Sequence, residues 1–449
     1  MSKSTLQRIF RTLAWTMGIL FFILMVFFTK VDRRPYQQMD YYHATMSHLD
    51  TINWKQGRGN NWKAGWAKVN ITPDSPVNLA GYSPRGKYEF VQDSSFLRTI
   101  ILNSGDIHVA FVNFELMIVH PYLEKRIREK IREAGLKIDL LYFTTTHTHS
   151  GMGGYMPGLV GKFAFGGYNE ELVSFLEEKS LEALKIAHSK LDASIIVFQK
   201  SLTKDLVANR LKETDPVDPF IRQLTFINSK GQKATLLSYS AHSTILNKKF
   251  MGLSGDYPHY LSQKLEEDYD LAMFAAGTVG SHKPVVNGKQ IEDVIQYSEQ
   301  VFESINKNLL DSDTLDQGPI SFATLPLQLR KAHYRTGKNI RIRPWVFKLL
   351  VGDSNAHFDM VLLGKTLLVS SSGEISGVFM EKWENYAREN GLNLIVSCFN
   401  GGYIGYITPD KYYDEKLYET MEMNWYGPYN GAYFDEIMMK IIEKAATLF

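Results

Sequence analysis

Residues 98–114 read RTIILNSGDIHVAFVNF, residues 121–134 PYLEKRIREKIREA and residues 138–144 IDLLYFT. In the first stretch, Arg98–Asn103 and His108–Phe114 carry β-branched and aromatic residues on either side of the turn Asn103-Ser104-Gly105-Asp106, which predicts two strands. In the second, Leu123, Ile127 and Ile131 recur at helical spacing on a charged background, and Gly135 supplies a stop. The third, Ile138–Thr144, is a short apolar run bounded by polar residues. Strand, helix, strand in that order is a βαβ unit. It requires a parallel pair and puts the loop after Thr144 at a carboxyl edge, where ligand sites of open α/β sheets gather.

The same alternation continues outward. Strands are expected at Ser194–Gln199, Gln223–Asn228, Ala234–Ser240, Ala272–Ala275, Ser321–Leu327, Met360–Leu363, Thr366–Ser370 and Leu394–Cys398, and helices at Glu170–His188, Tyr257–Asp268, Gln290–Leu310, Gly377–Glu389 and Tyr433–Ala446. No repeat or low-complexity tract interrupts residues 63–449. The expectation is one large α/β domain with a mixed β-sheet and flanking helices. The 449 residues, 44% hydrophobic, suffice for a large core. A net charge of +2 gives no global pull toward nucleic acid. The one cysteine, Cys398, excludes an internal disulfide and any cysteine-built zinc or iron–sulfur site, so a metal here must be held by His, carboxylate, Tyr or Ser.

Residues 12–29, TLAWTMGILFFILMVFFT, carry no charge and come close to the length that spans a bilayer. The run ends in bulky Val26, Phe27 and Phe28 without a small-x-small cleavage site, which favours an uncleaved anchor over a removed signal peptide. Residues 1–11, with Lys3, Arg8 and Arg11, then form a short basic cytoplasmic tail. The domain is expected on the extracytoplasmic side, periplasmic or extracellular. Residues 30–62 are polar and weakly periodic and read as a juxtamembrane linker with room for one short helix.

After the predicted strand 138–144 comes Thr146-His147-Thr148-His149-Ser150-Gly151. Two histidines one residue apart at a carboxyl edge can present imidazoles to a metal, or can sit as hydrogen-bonded histidines in a polar turn. His242 closes another strand and reads as a core histidine or a ligand. Glu374 follows an apolar strand and reads as a neighbour of a helix N-cap or a ligand. Two histidines and a carboxylate around an open position form a recurring hydrolytic zinc arrangement.

With these residues the chain resembles the neutral (non-lysosomal) ceramidase family, zinc amidases that cleave the N-acyl bond of ceramides, over that family's N-terminal catalytic domain. The resemblance runs through Gly65-Trp66-Ala67-Lys68-Val69-Asn70-Ile71-Thr72-Pro73, Gly81-Tyr82, Thr146–Gly151, Asn209-Arg210, Asp215–Pro219, His242, Ser254–Pro258, Gly373-Glu374 and the stretch Asn400–Glu419. It implies one zinc ion per chain on His147, His242, Glu374 and Tyr406, with His149, Arg210 and Tyr418 as the other polar site residues. The family's C-terminal β-sandwich is not expected.

One departure stands out. The family carries a proposed serine nucleophile in a Gly-Asp-x-Ser-Pro turn. Here Gly277–Pro284 puts Lys283 at the serine and Ser281 at the aspartate. The expected mechanism is therefore attack by metal-activated water, with His149 moving the proton, Tyr418 and Arg210 stabilising the oxyanion, and Ser281 or Lys283 orienting substrate. Lipid substrates fit the anchor and the run 330–352, where Arg330, Lys331, Arg335, Lys338, Arg341, Arg343 and Lys348 mix with Trp345, Phe347, Leu349 and Leu350. Two further readings remain: a zinc esterase or deacylase for another acyl substrate, and a non-catalytic lipid-binding member of the same fold.

Overall fold

The computed structural model describes residues 3–82, 85–352 and 354–448. The first two residues of the basic tail and the last residue of the domain lie outside it. Ten α-helices lie among the described residues: α1 Lys3–Phe27, α2 Asp40–Asp50, α3 Pro121–Glu133, α4 Gly158–Ala164, α5 Glu170–Ser189, α6 Asp256–Leu265, α7 Ile291–Lys307, α8 Pro344–Val351, α9 Met380–Glu389 and α10 Asn430–Ala446.

Two mixed sheets face each other. The larger runs, edge to edge, through strands Leu271–Ala276, Lys233–Tyr239, Phe220–Asn228, Asp192–Leu202, Trp62–Asn70, Phe96–Ser104, Ile107–Phe114 and Leu140–Thr145. The smaller runs Lys55–Gln56, Ser321–Pro326, His357–Leu363, Thr366–Ser371 and Asn393–Cys398. Phe111, Tyr142 and Phe226 of the first meet Val361, Leu368 and Ile395 of the second in one buried cluster. The outer faces are covered by helices, α6 and α7 over strands 233–239 and 271–276, α9 and α10 on the side of the smaller sheet. A sheet apolar on both faces is stable only between two such layers.

The βαβ unit forms as expected: Ile107–Phe114 pairs in parallel with Leu140–Thr145, joined by α3. Pro121 opens α3, the His120 ring nitrogen accepts from the Tyr122 N–H at 3.2 Å, and Leu123, Ile127 and Ile131 are its buried stripe. Two further parallel pairs join Lys233–Tyr239 to Leu271–Ala276 and Thr366–Ser371 to Asn393–Cys398. These three pairs matter most, because their carboxyl ends carry the candidate site.

Three expectations are corrected. The apolar helix spans Lys3–Phe27, not 12–29; Phe28–Lys30 leaves it as a strand paired with Ile340–Ile342. Residues 30–62 are folded onto the domain: α2 buries Met46 and Leu49, Tyr36 and Tyr42 donate to Glu436 at 2.9 and 2.7 Å, and Lys55–Gln56 joins the smaller sheet. An eleven-residue helix burying only Thr45, Met46 and Leu49 leaves little periodicity to read. Finally, the helix expected to reach Leu310 stops at Lys307, and Leu309–Thr314 turns back as a strand along Asp192–Leu202.

Candidate metal centre

His147 lies two residues past strand Leu140–Thr145, His242 three past Lys233–Tyr239 and Glu374 three past Thr366–Ser371. Each therefore sits at the carboxyl end of a parallel-paired strand, and the facing of the sheets brings the three ends together. His147 occupies the left-handed region at φ 57°, a costly conformation for a residue with a Cβ, which turns the chain sharply out of the strand. Ser243 Oγ donates to the Thr146 carbonyl at 2.6 Å and ties the first two strand ends to each other.

Tyr406 reaches the same place through a short parallel ladder. Glu374–Ile375 pairs with Tyr406–Ile407, placing Glu374 and Tyr406 directly opposite each other. Tyr403, which the sequence reading passed over, donates to Glu374 Oε1 at 2.7 Å.

The imidazoles converge on their Nε2 atoms. His149 Nε2 lies 3.3 Å from His147 Nε2 and 3.0 Å from His242 Nε2, while His147 Nε2 lies 3.6 Å from Glu374 Oε2. On the far side of the rings, His147 Nδ1 is 2.6 Å from the Met117 carbonyl and His242 Nδ1 is 3.3 Å from that of Val279. A carbonyl can only accept, so each Nδ1 carries the proton and each Nε2 offers a lone pair inward. Glu374 Oε2 is buried without a hydrogen-bond partner. Lone pairs and an orphaned carboxylate oxygen facing one another at this range repel unless a cation sits among them. The donor set of two imidazoles, a carboxylate and a phenol fits zinc.

A second cluster, Asp93, Glu115 and His259, is equally close-set but differs in this respect. Asp93 accepts from Ser254 Oγ at 2.5 Å and the Gly255 N–H at 2.7 Å. Glu115 accepts from Arg98, from the Phe96 N–H at 3.1 Å and from His259 at 3.2 Å. Arg98 already supplies the cation, and the cluster is a buried ion network.

The electrostatics follow from burial. His149 and His242 are held well below the ordinary histidine range by burial and by the nearby positive charge of Arg210. Burial would raise Glu374, but His147 and the hydroxyls of Tyr406 and Tyr403 outweigh it and leave the carboxyl below its usual range. Tyr406 is pushed well above the usual phenol range by burial and by Glu374.

Of the other expected residues, Arg210 Nη2 donates to Tyr406 Oη at 3.1 Å and to the Gly280 carbonyl at 3.3 Å, while its Nε pairs with Glu419 at 2.9 Å. Tyr418 is exposed, its ring centroid 6.1 Å from that of Tyr406. Ser281 is fully buried. Its Oγ lies 2.8 Å from His282 Nδ1 and accepts from Ser376 Oγ at 2.7 Å, and His282 Nε2 accepts from the Asp218 N–H at 2.8 Å. Lys283 is exposed on a strand paired with Val207–Asn209. The structure thus gathers His147, His149, His242, Glu374, Tyr406 and Arg210, sets Tyr418 beside them, and ties the Ser281 hydroxyl into a separate polar contact.

Two more groups were missed. Phe399, at φ 71° past strand Asn393–Cys398, stacks on His147 at 4.1 Å. Arg85 lies 5.7 Å from the Tyr82 ring, which itself packs on His149, and its three guanidinium nitrogens are buried without partners. Neither residue stands in a periodic pattern. The one available signal was position, Phe399 directly after an apolar strand and Arg85 close behind Gly81-Tyr82.

Residues 62–319 match the family model described as the N-terminal part of neutral/alkaline non-lysosomal ceramidase. A curated protein named neutral ceramidase, from Pseudomonas aeruginosa, is 23% identical over 252 residues, covering 51% of this chain. The match spans only 38% of that protein's length. The crystal structure of neutral ceramidase from Pseudomonas aeruginosa superposes with a TM-score of 0.72 at 16% identity, over 86% of this chain and 74% of that one. A structure titled as ceramidase complexed with C2 gives 0.70 at 15%, over 86% and 75%. At these identities the structural likeness speaks for the fold.

Proposed function

Because the chain belongs to the neutral/alkaline non-lysosomal ceramidase family, we propose that it is a zinc-dependent amidase cleaving the N-acyl bond of ceramide or a related N-acyl lipid. The observation that carries this reading is the convergence of three imidazole Nε2 atoms, that of His147 lying 3.6 Å from the partnerless Glu374 Oε2. His147, His242, Glu374 and Tyr406 would hold one zinc ion. Such an ion, when bound, polarises an amide carbonyl and lowers the pKa of water to about 7.

The protein's own residues do the rest. His149, kept neutral by burial and its charged neighbours, takes a proton at Nε2 and delivers it to the departing amine, a role worth about 10²–10⁴ in rate. Arg210 holds the Tyr406 phenol in position. Together with Tyr418 it supplies donors for a developing oxyanion, at about 2.7–4 kcal/mol for a donor of this kind. Tyr403 fixes the Glu374 carboxylate. Ser281 and Lys283 carry no bond-making step.

Lipid substrates are supported by α1, whose mean hydropathy reaches 2.0 and which has no buried residue. We take it as a membrane anchor with the basic tail inside and the domain outside. The test is metal content of the purified chain together with fatty-acid release from a panel of N-acyl lipids, with and without chelator. Stoichiometric zinc and chelator-sensitive release of ceramide acyl chains are expected. Unchanged metal content and hydrolysis in His147→Ala would overturn the proposal.

A further inference from the structure

Away from the metal centre, two short helices expose apolar side chains in the same pattern. On α4, Leu159 and Phe163 are 55% and 63% exposed with Lys162 between them. On α8, Trp345 and Leu349 are 51% and 72% exposed with Lys348 between them. In both, the large apolar residues stand at i and i+4 and the lysine at i+3, so all three share one helical face. The two helices pack on each other, with Phe347 of α8 turned into the core beneath. Burying large apolar side chains is favourable, so leaving four of them in water is a cost with no return within the chain.

Position says what covers them. Arg343, the residue before α8, donates through Nε and Nη2 to the Met25 carbonyl at 3.1 and 2.9 Å, and its N–H donates to the Phe27 carbonyl at 2.8 Å. Trp345 lies 5.7 Å from the Phe27 ring. The first turn of α8 is therefore clamped to the last turn of α1. At about 1.5 Å per residue, α1 has run through roughly the thickness of a bilayer core by Phe27, so α8 and α4 start where the hydrocarbon meets the head groups.

We propose that α4 and α8 form a membrane-contacting platform, with Leu159, Phe163, Trp345 and Leu349 seated in the lipid interface and the intervening lysines at the level of anionic head groups. This rests on α1 being a membrane span. Lysine stems reaching from an apolar face to phosphates are the usual chemistry of such helices. A consequence follows for the metal centre. Phe347 packs on Trp425 at 5.3 Å and Trp425 on Tyr403 at 5.4 Å, and Tyr403 holds Glu374. The platform and the carboxylate are joined by three consecutive rings, which fixes the site's height above the lipid.

The chain's one cysteine is buried, so an introduced cysteine can be labelled selectively. Leu349→Cys, Phe163→Cys and, as control on α7, Ile295→Cys would carry an environment-sensitive fluorophore in the full chain, reconstituted into phosphatidylcholine–phosphatidylglycerol vesicles. Blue-shifted emission and several-fold stronger quenching by nitroxide lipids are expected at 163 and 349, and neither at 295. An alkaline carbonate wash reports on α1 separately. Retention with water-like probes at 163 and 349 overturns the platform; release with lipid-buried probes overturns the span and leaves the platform as a peripheral contact. Release with water-like probes overturns both.

Discussion

Glu374 and Tyr406 are direct partners in a parallel ladder of two residues per strand. The pairing turns two loops into one edge of the candidate metal centre.

Tyr403 donates its hydroxyl to the Glu374 carboxylate at 2.7 Å. Tyr403→Phe removes the bond while keeping the ring between Phe399 and Trp425. Loss of a supporting partner of this kind costs about 10–100-fold in metal affinity or activity. Zinc titration of Tyr403→Phe should show a weakened Kd. Zinc should also raise the Tm of the chelated parent chain, and do so far less for Glu374→Gln, because a ligand held only by the folded state stabilises it.

Gly280 backs onto the same ladder. A Cβ there would lie 2.5 Å from the Glu374 carbonyl oxygen and 2.9 Å from the Ile375 carbonyl carbon, and backbone of this kind has no room to move aside. Gly280→Ala should displace Glu374, with a stability loss of about 1–3 kcal/mol and a drop in bound zinc. Denaturant unfolding and metal analysis check the two effects independently.

Ser281 is engaged by His282 and Ser376, and burial pushes His282 down to about 4, so that ring stays neutral at physiological pH. Ser281→Ala should retain fatty-acid release within a few-fold of the parent and lose about 1 kcal/mol of stability with its hydrogen bonds. Lys283→Ser, at an exposed position, should leave both unchanged. Near-complete loss of release in Ser281→Ala at normal metal content would make it a nucleophile.

The ion network gives a pH signature. Burial alone would lower His259, but Glu115 and Asp93 reverse this and raise it above its ordinary 6.5. A raised folded value means that its contribution is complete below the unfolded pKa and fades as pH climbs through the folded one. His259→Asn should therefore lower the Tm most on the acid side of neutrality and converge on the parent as the pH rises above the range in which the buried ring titrates. Glu115 works the other way. Arg98 and His259 overcome its burial and lower it to about 2, so its contribution is complete above its ordinary 4.5 and is lost as pH falls from there through about 2. Arg98→Met, which strands a buried carboxylate, should cost about 3–5 kcal/mol.

Local pattern was enough for much of this molecule. The run 98–144 declared its two strands, helix and third strand, because a parallel strand buried on both faces must be continuously apolar and α3 must be amphipathic. The apolar runs before them also placed His147, His242 and Glu374 at strand ends. The family resemblance added Tyr406; only the tertiary structure decided which of those ends meet, and that Tyr403, Phe399 and Arg85 meet them. A ladder two residues long and a residue in a turn leave no period behind, and pairing across the fold is set by how two sheets stack. The folding of residues 28–62 onto the domain belongs with these, since a strand of three residues and a helix with three buried side chains gain their stability from distant partners at 340–342 and 436. Hydrophobic periodicity records how each segment is buried; which buried segments are neighbours is recorded only in the packing.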